Sequence, residues 1–154
     1  MEVLLIRHAE ARALGESAAH DRDGARALTA RGARRFERTS DMLIERGLAP
    51  ELVIHSPLLR AVETADILVR ACGASSRVTT WLARPPAAPL LALLARERVA
   101  LVGHEPWMSE LLALCLHGDA RISAGIRFAK GSCAHLEGEP RFGALRLVAL
   151  FSSD

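Results

Sequence analysis

Three short stretches of the chain each place a cation or an imidazole directly after an apolar run. Arg7 and His8 follow "LLI", Arg60 lies five residues after the end of "LVIH", and His104 ends "VALVGH". Two guanidiniums and two imidazoles around one point would form an anion site, because arginine presents a planar fork of donors that matches phosphate oxygens. A neutral imidazole is also a nucleophile toward phosphorus, and neighbouring cations favour its unprotonated form near pH 7. These residues therefore predict phosphate chemistry.

The elements around these residues explain how they could meet. Continuous apolar runs at 3–6, 52–55 and 99–104 predict strands that are covered on both faces. Three helices are predicted from apolar residues at helical spacing, one capped by Thr29, one capped by Ser56 and one beginning at Pro106. This alternation predicts an α/β fold, a three-layer α/β/α sandwich with a mainly parallel sheet. Ligands bind at the carboxyl ends of such strands, where the polar residues lie.

The remaining segments carry weaker patterns. Residues 9–28 are expected to form a polar loop, and residues 74–89, with three prolines, an irregular stretch with one short strand. A short helix is expected at 90–95. "CAHLEG" and "LRLVALFS" predict two strands that pair through the turn at 138–143. Substrate specificity is expected to lie in the two loop segments.

Length, charge and cysteine count limit the class of protein. A chain of 154 residues predicts one domain over 1–154. A net charge of +2 argues against nucleic-acid binding. Three cysteines without a CxxC pair argue against a disulfide framework. With no secretory signal and no stretch long enough to cross a membrane, the expected location is the cytoplasm.

Four motifs resemble those of a known family. "LLIRHAEA" resembles the RHG motif of the histidine phosphatase (phosphoglycerate mutase-like) superfamily, "SPLLRAVETA" its second motif and "LVGHEP" its third. "DGARALTARG", from Asp23, is similar to the D-x-x-R-x-L-T-x-x-G segment of the SixA-type phosphohistidine phosphatases. The matches follow the family order, and the chain lacks the long insertion of the mutases. The resemblance implies the phosphoglycerate mutase-like fold.

The same resemblance implies a covalent phosphatase mechanism. His8 would attack the phosphoryl group and become phosphohistidine, and water would then release phosphate. Arg7, Arg60 and His104 would bind the three equatorial oxygens as charge spreads over them. No metal or cofactor is implied. The implied substrate is phosphohistidine in a protein, and otherwise a small phosphomonoester.

The chain departs from the family pattern in two places. Ala9 stands where the family has glycine, which matters if the backbone there needs a positive φ. The family's general-acid glutamate has no counterpart around "TTWLARPPAAP", and Asp23 is the best substitute as general acid. An imidazole is a good leaving group, so phosphohistidine needs less help from an acid than an alkyl phosphate does.

The sequence leaves other functions open. The same residues would serve a non-catalytic phosphate-binding module, and a structural or partner-binding domain would not use them at all. "CLHGDAR", from Cys115 to Arg121, fits the phosphate loop of cysteine phosphatases, although Cys115 lies on an apolar helix face. "HEPWM" lacks the second histidine of the zinc motif HExxH. No functional role is expected for the other histidines, His20, His55, His117 and His135.

Overall fold

The computed structural model describes residues 1–15 and 22–152. The strands are β1 (Glu2–Arg7), β2 (Leu52–His55), β3 (Ser75–Val78), β4 (Arg98–Gly103), β5 (Cys133–Gly138) and β6 (Leu145–Phe151). The helices are α1 (Ala30–Glu45), α2 (Leu59–Cys72), α3 (Pro89–Leu94) and α4 (Trp107–His117). Three 3₁₀ helices span Asp23–Ala25, Thr80–Ala83 and Ala120–Gly125. His20 lies outside the described residues.

All six strands form one sheet in the order β3-β2-β4-β1-β5-β6. The first four in this order run parallel, and β5 and β6 are antiparallel additions at one side. Arg7 pairs with Gly103 in β4, and His55 in β2 pairs with Val102. The carboxyl ends of β1, β2 and β4 therefore lie side by side at one edge, as the sequence predicts.

The central strands of the sheet are buried on both faces, which confirms the predicted three-layer α/β/α sandwich. Alternate residues of a strand face opposite sides. Leu4 and Ile6 of β1 belong to the apolar cluster under α1 and α2, and Val3 and Leu5 belong to the cluster under α3 and α4. All four side chains are at most 4% exposed, which explains why β1 is a continuous apolar run.

The predicted helix starts are correct for α1 and differ for α2. The hydroxyl of Thr29 accepts the backbone N–H of Gly32, as predicted for an N-cap. The prediction that Ser56 caps α2 is wrong, because the helix begins only at Leu59. The Ser56 hydroxyl accepts the N–H of Leu58 and also lies against a site histidine, so it shapes the turn that precedes the helix.

The first turn of α1 packs tightly against the segment that follows β1. The carbonyl oxygen of Glu10 accepts the N–H of Thr29 at 2.9 Å. A Cβ atom added to Gly32 would lie 2.3 Å from that same oxygen, a distance at which the backbone would have to move. Glycine at position 32 thus fixes α1 against the residues next to His8.

The predictions for residues 74–89, for the 90–95 helix and for the C-terminal hairpin hold as well. The loop predicted at 9–28 is described at 9–15 and 22–28, where it contains one 3₁₀ helix, and its remaining residues lie outside the described part of the chain. Residues 74–89 contain β3 and a 3₁₀ helix, and α3 occupies most of the predicted 90–95 helix. β5 and β6 pair as a hairpin, with a bulge between His135 and Leu136. Among the helices formed by residues 1–15 and 22–152, none is long and apolar enough to cross a lipid bilayer.

Candidate active site

The carboxyl edge of the sheet brings together the four residues that the sequence singles out. Arg7 ends β1, His8 follows it, Arg60 lies in the first turn of α2 and His104 follows β4. The rings of His8 and His104 lie 5.1 Å apart between centroids. The Nε of Arg60 donates to His8 Nε2 at 3.3 Å. Because three separate elements supply these groups, the sheet and α2 determine their spacing.

The hydrogen bonds of His8 define which nitrogen can act. Its Nδ1 lies 2.7 Å from the carbonyl oxygen of Ala9. A carbonyl only accepts, so Nδ1 must carry the proton and Nε2 must carry the lone pair. The guanidinium of Arg60 is directed at that lone pair. Nε2 is therefore the atom of this histidine that can act as a nucleophile or accept a group.

The surroundings keep both imidazoles neutral. Burial lowers the pKa of His8 to about 3, and the charges of His104, Arg60 and Arg7 add to this against the opposing hydrogen bond to Ala9. Burial and the charge of Arg60 also lower the pKa of His104 to about 4. At neutral pH both rings are unprotonated, as a nucleophile toward phosphorus requires.

We expect this protein to lose stability in mild acid. The unfolded chain binds protons at these two histidines near pH 6.5, whereas the folded protein binds them only near pH 3 and 4. Between these values the unfolded state holds more protons, so the free energy of unfolding falls as pH falls, by up to about 1.4 kcal/mol per pH unit for each ring. Urea denaturation at pH 7 and pH 5 measures the effect.

The matched control for this expectation is the His8→Asn variant. The variant removes one of the two titrating imidazoles, so the pH dependence that these rings give to the free energy of unfolding should fall by about half. An equal drop in stability in the variant and the wild type would show that His8 does not titrate in this way.

Arg7 is held by a backbone carbonyl that the sequence does not reveal. Its Nη1 donates to the carbonyl oxygen of Phe128 at 2.8 Å. Its Nε is buried and has no hydrogen-bond partner among the described residues. Burial lowers the pKa of this guanidinium, and the charge of Glu105 opposes that shift. Because buried polar groups are normally hydrogen-bonded, the Nε–H is a donor available to an anion.

His104, like Arg7, has one nitrogen that is hydrogen-bonded and one that is buried without a partner among the described residues. Its Nε2 lies 2.7 Å from the hydroxyl of Ser56, and its Nδ1 is buried without a partner among the described residues. The N–H of Leu58 already donates to that hydroxyl, so the hydroxyl hydrogen can be directed at Nε2. This favours the proton on Nδ1 and makes it a second available donor. The contact between Ser56 and His104 was not predicted from the sequence.

Asp23, the predicted general acid, accepts hydrogen bonds from Arg60. Arg60 donates to its carbonyl oxygen at 2.7 Å and to its carboxylate at 3.0 Å, and Arg26 donates to the other carboxylate oxygen at 3.0 Å. Partial burial raises the pKa of Asp23, but the hydrogen bonds and charges of Arg60 and Arg26 outweigh it and lower the pKa overall. In this arrangement the carboxylate accepts hydrogen bonds and orients Arg60. Its role as general acid stays a prediction.

Two residues of the second motif hold the backbone around His8. The hydroxyl of Thr64 accepts the N–H of Ala9 at 3.0 Å and donates to the carbonyl oxygen of Arg60 at 2.6 Å. The carboxylate of Glu63 accepts the N–H of Leu28 at 2.6 Å. No described residue other than glycine has a positive φ, so Ala9 is unstrained where the family has glycine.

The cysteine of the alternative motif is not placed for catalysis. Cys115 lies on α4, fully buried in the core, and burial raises the pKa of its thiol to about 12. The guanidinium of Arg121 binds the carboxylate of Asp119, and its side chain is 90% exposed. A protonated thiol in the core cannot attack phosphorus, so the cysteine phosphatase alternative is not supported.

A neutral histidine beside two arginines at the carboxyl edge of a three-layer α/β sandwich is an arrangement suited to phosphate chemistry. The model of the histidine phosphatase superfamily (branch 1) matches residues 3–84. A protein of Picosynechococcus sp. of uncharacterised function is 33% identical, over 71% of this chain and 70% of its own. The chain belongs to the histidine phosphatase superfamily and is a phosphatase.

The solved structures that resemble this chain include proteins of the SixA-type branch. The protein described as phosphohistidine phosphatase SixA from Agrobacterium tumefaciens is 26% identical, with a TM-score of 0.78 over 98% of this chain and 97% of that one. A protein histidine phosphatase SixA complexed with tungstate is 22% identical, with a TM-score of 0.82 over 99% and 97%. A mycobacterial glucosyl-3-phosphoglycerate phosphatase is 18% identical, with a TM-score of 0.70 over 96% and 97%. The SixA-type resemblance is confirmed.

Proposed function

We propose that this phosphatase removes phosphate from phosphohistidine in a protein, through a covalent intermediate on His8. The observation that carries the proposal is the orientation of His8, whose Nε2 lone pair faces the site while Nδ1 is fixed by the Ala9 carbonyl. A nucleophile that is neutral, buried and oriented in this way needs no base to activate it.

In the proposed first step, His8 Nε2 attacks the phosphorus atom in line with the bond that breaks. The P–N bond of the substrate breaks, its electron pair leaves with the substrate imidazole, and that imidazole takes up a proton from solvent. In the second step, water attacks the phosphorus of phospho-His8, the electron pair of the new P–N bond returns to Nε2, and phosphate leaves with both hydrogens of the water before it gives one proton back to solvent. His8 returns to its neutral form.

The proposed clamp for the transferring group consists of Arg7, Arg60 and His104. The unpartnered Nε–H of Arg7 and the Nδ1–H of His104 would donate to equatorial oxygens, where negative charge develops. Arg60 lies against Nε2 and would bind a third oxygen. Asp23 would orient Arg60 during the reaction, and it could donate a proton only after losing one of its guanidinium partners.

The substrate class rests on two further observations. A cavity of about 400 Å³ lies beside the site and is lined by Arg7, Glu105, Arg127 and Phe128 among others, and it offers room for an imidazole ring and adjacent peptide. The SixA structure complexed with tungstate holds a tetrahedral oxyanion, a geometry that resembles phosphate. A small phosphomonoester is the alternative substrate, because a glucosyl-3-phosphoglycerate phosphatase shares the fold.

We further propose that the protein acts in the cytoplasm. The cysteines Cys72, Cys115 and Cys133 are all free thiols. Because no disulfide joins them, the fold does not depend on oxidised cysteines. A reducing compartment therefore suits this protein.

The test compares kcat/KM for a phosphohistidine peptide with kcat/KM for an alkyl phosphomonoester of similar size. We expect the phosphohistidine peptide to be preferred by at least about tenfold, because its leaving group needs less acid catalysis. An equal or higher value for the alkyl ester would overturn the proposed substrate class. No turnover of either substrate, with phosphate binding retained, would instead support a phosphate-binding module.

A further inference from the structure

We propose that Glu2, His135 and Glu137 form a site for one divalent transition-metal ion of the Zn²⁺ class. The site lies at the opposite end of the sheet from His8. β1 begins at Glu2 and reaches the active site at Arg7, its other end. The site is therefore separate from the phosphate clamp, and it does not depend on the proposed function.

The sheet register places the three side chains together. Glu2 of β1 pairs directly with Glu137 of β5. His135 precedes Glu137 by two residues on the same strand, so both side chains lie on the same face of the sheet. Position 135 pairs with Leu4, which faces the α1 and α2 layer. The three possible ligands therefore project from neighbouring positions of one rigid surface.

The distances suit a single small ion. The Nε2 of His135 lies 3.6 Å from Glu2 Oε1 and 3.9 Å from Glu137 Oε1, and all three ligand atoms lie within 4.8 Å of one another. Zinc bonds to nitrogen and oxygen are about 2.1 Å long, so two ligands of one ion can be up to about 4.2 Å apart. The histidine and either glutamate can thus bind one ion without backbone movement, and a small rotation of a glutamate side chain completes the set.

The burial of His135 and its missing hydrogen bond are the second observation that points to a bound ion. Its side chain is only 5% exposed, and its Nε2 is buried without a hydrogen-bond partner. A buried imidazole nitrogen of this kind is normally satisfied. The atom is directed at the two carboxylates, beside a cavity of about 10 Å³ that Glu2 and His135 line together with Arg98 and apolar residues, with Glu137 next to it. That volume is close to one water-sized sphere, which is enough for one ion.

Two arginines contact the carboxylates of this site without occupying the oxygen atoms that face His135. Arg98 approaches Glu2 through Oε2, at 3.6 Å, and Arg146 binds Glu137 through Oε2. The Oε1 atom of each carboxylate is left facing His135. Metal-binding carboxylates are commonly held by such outer hydrogen bonds, which orient the remaining oxygen toward the ion.

The ligand set selects the class of ion. One imidazole and two carboxylates suit Zn²⁺ or Co²⁺, whereas Mg²⁺ and Ca²⁺ prefer oxygen ligands alone. Three protein ligands leave a fourth tetrahedral position for water. An ion here would join the first residue of β1 to the antiparallel hairpin, and since it binds only the folded arrangement, it would stabilise the fold.

The test measures Zn²⁺ binding by isothermal titration calorimetry and the thermal unfolding midpoint with and without Zn²⁺, on untagged protein. We expect one ion per chain and a higher midpoint in its presence. Glu137→Gln should weaken the affinity by at least about tenfold and remove most of the rise in midpoint. This glutamate is partly exposed, so the variant should fold even where His135→Gln does not.

The control variant is His8→Ala, because the two active-site imidazoles are another pair that could bind zinc. It should bind Zn²⁺ as the wild type does. If the wild type binds no ion, if Glu137→Gln binds equally well, or if binding is lost in His8→Ala, the proposal is overturned. Addition of EDTA should leave the phosphatase activity unchanged, since no residue of this site contacts the phosphate clamp.

Discussion

The His8→Ala variant is expected to lose at least about 10³-fold in kcat/KM on any substrate that the wild type hydrolyses. The variant removes the only nitrogen lone pair that Arg60 and the Ala9 carbonyl orient within the clamp. Without it no covalent intermediate can form, and only direct attack by water remains. Steady-state kinetics measure the loss. Brief incubation with ³²P-labelled substrate should label the wild type with an acid-labile, base-stable phosphoryl group and leave the variant unlabelled.

Cys115→Ser is the control for this experiment. The thiol lies in the core on α4, and the substitution should change the kinetics by less than about twofold even if it lowers stability. Loss of activity in Cys115→Ser with activity retained in His8→Ala would assign catalysis to the cysteine motif and contradict the site described above.

Replacing Arg60 with alanine should lower kcat by about 10²- to 10⁴-fold. Its guanidinium uses three separate nitrogens, with Nε at His8 Nε2, Nη1 at the Asp23 carbonyl and Nη2 at the Asp23 carboxylate. A lysine carries the charge but has a single nitrogen, so Arg60→Lys should recover less than about a tenth of the activity. Kinetics of the two variants, with circular dichroism to confirm folding, measure the effect.

Arg121→Ala is the matched control, because Arg121 is an arginine of the surface, bound only to Asp119 among the described contacts. Its activity should equal that of the wild type. Full activity in Arg60→Lys would mean that positive charge alone suffices, and that the fork geometry of the arginine contributes nothing.

The fold was predictable where burial leaves a strong pattern. The bounds of β2 equal those of the apolar run that predicts it, and β1 is longer than its predicting run by one residue at each end. Both runs are apolar because other parts of the protein cover both faces of these strands. β3 has no such pattern, since all four of its residues are exposed, and only its general place could be expected. The start of α2 was missed because Ser56 resembles a cap and serves the preceding turn.

The position of the site was predictable because its four residues lie in recognisable motifs at or near the ends of strands. Arg7, His8, Arg60 and His104 meet as expected, because parallel strands end at the same edge. The groups that orient them were not predictable. Arg7 is held by the carbonyl of Phe128 and His8 by that of Ala9, and a backbone carbonyl leaves no trace in the residue type. The partners of Asp23 depend on how the loop folds back, which no pattern encodes.

The hydroxyl of Thr64 has a consequence for the motions of the site. It accepts the N–H of the residue after His8 and donates to the carbonyl of Arg60, so the end of β1 and the first turn of α2 are joined through one oxygen atom. We expect this shared oxygen to couple the thermal motions of the two elements, so that fluctuations that separate His8 from Arg60 are smaller than motions that carry both together. The 3.3 Å contact between the Nε of Arg60 and His8 Nε2 is the distance that this coupling would limit.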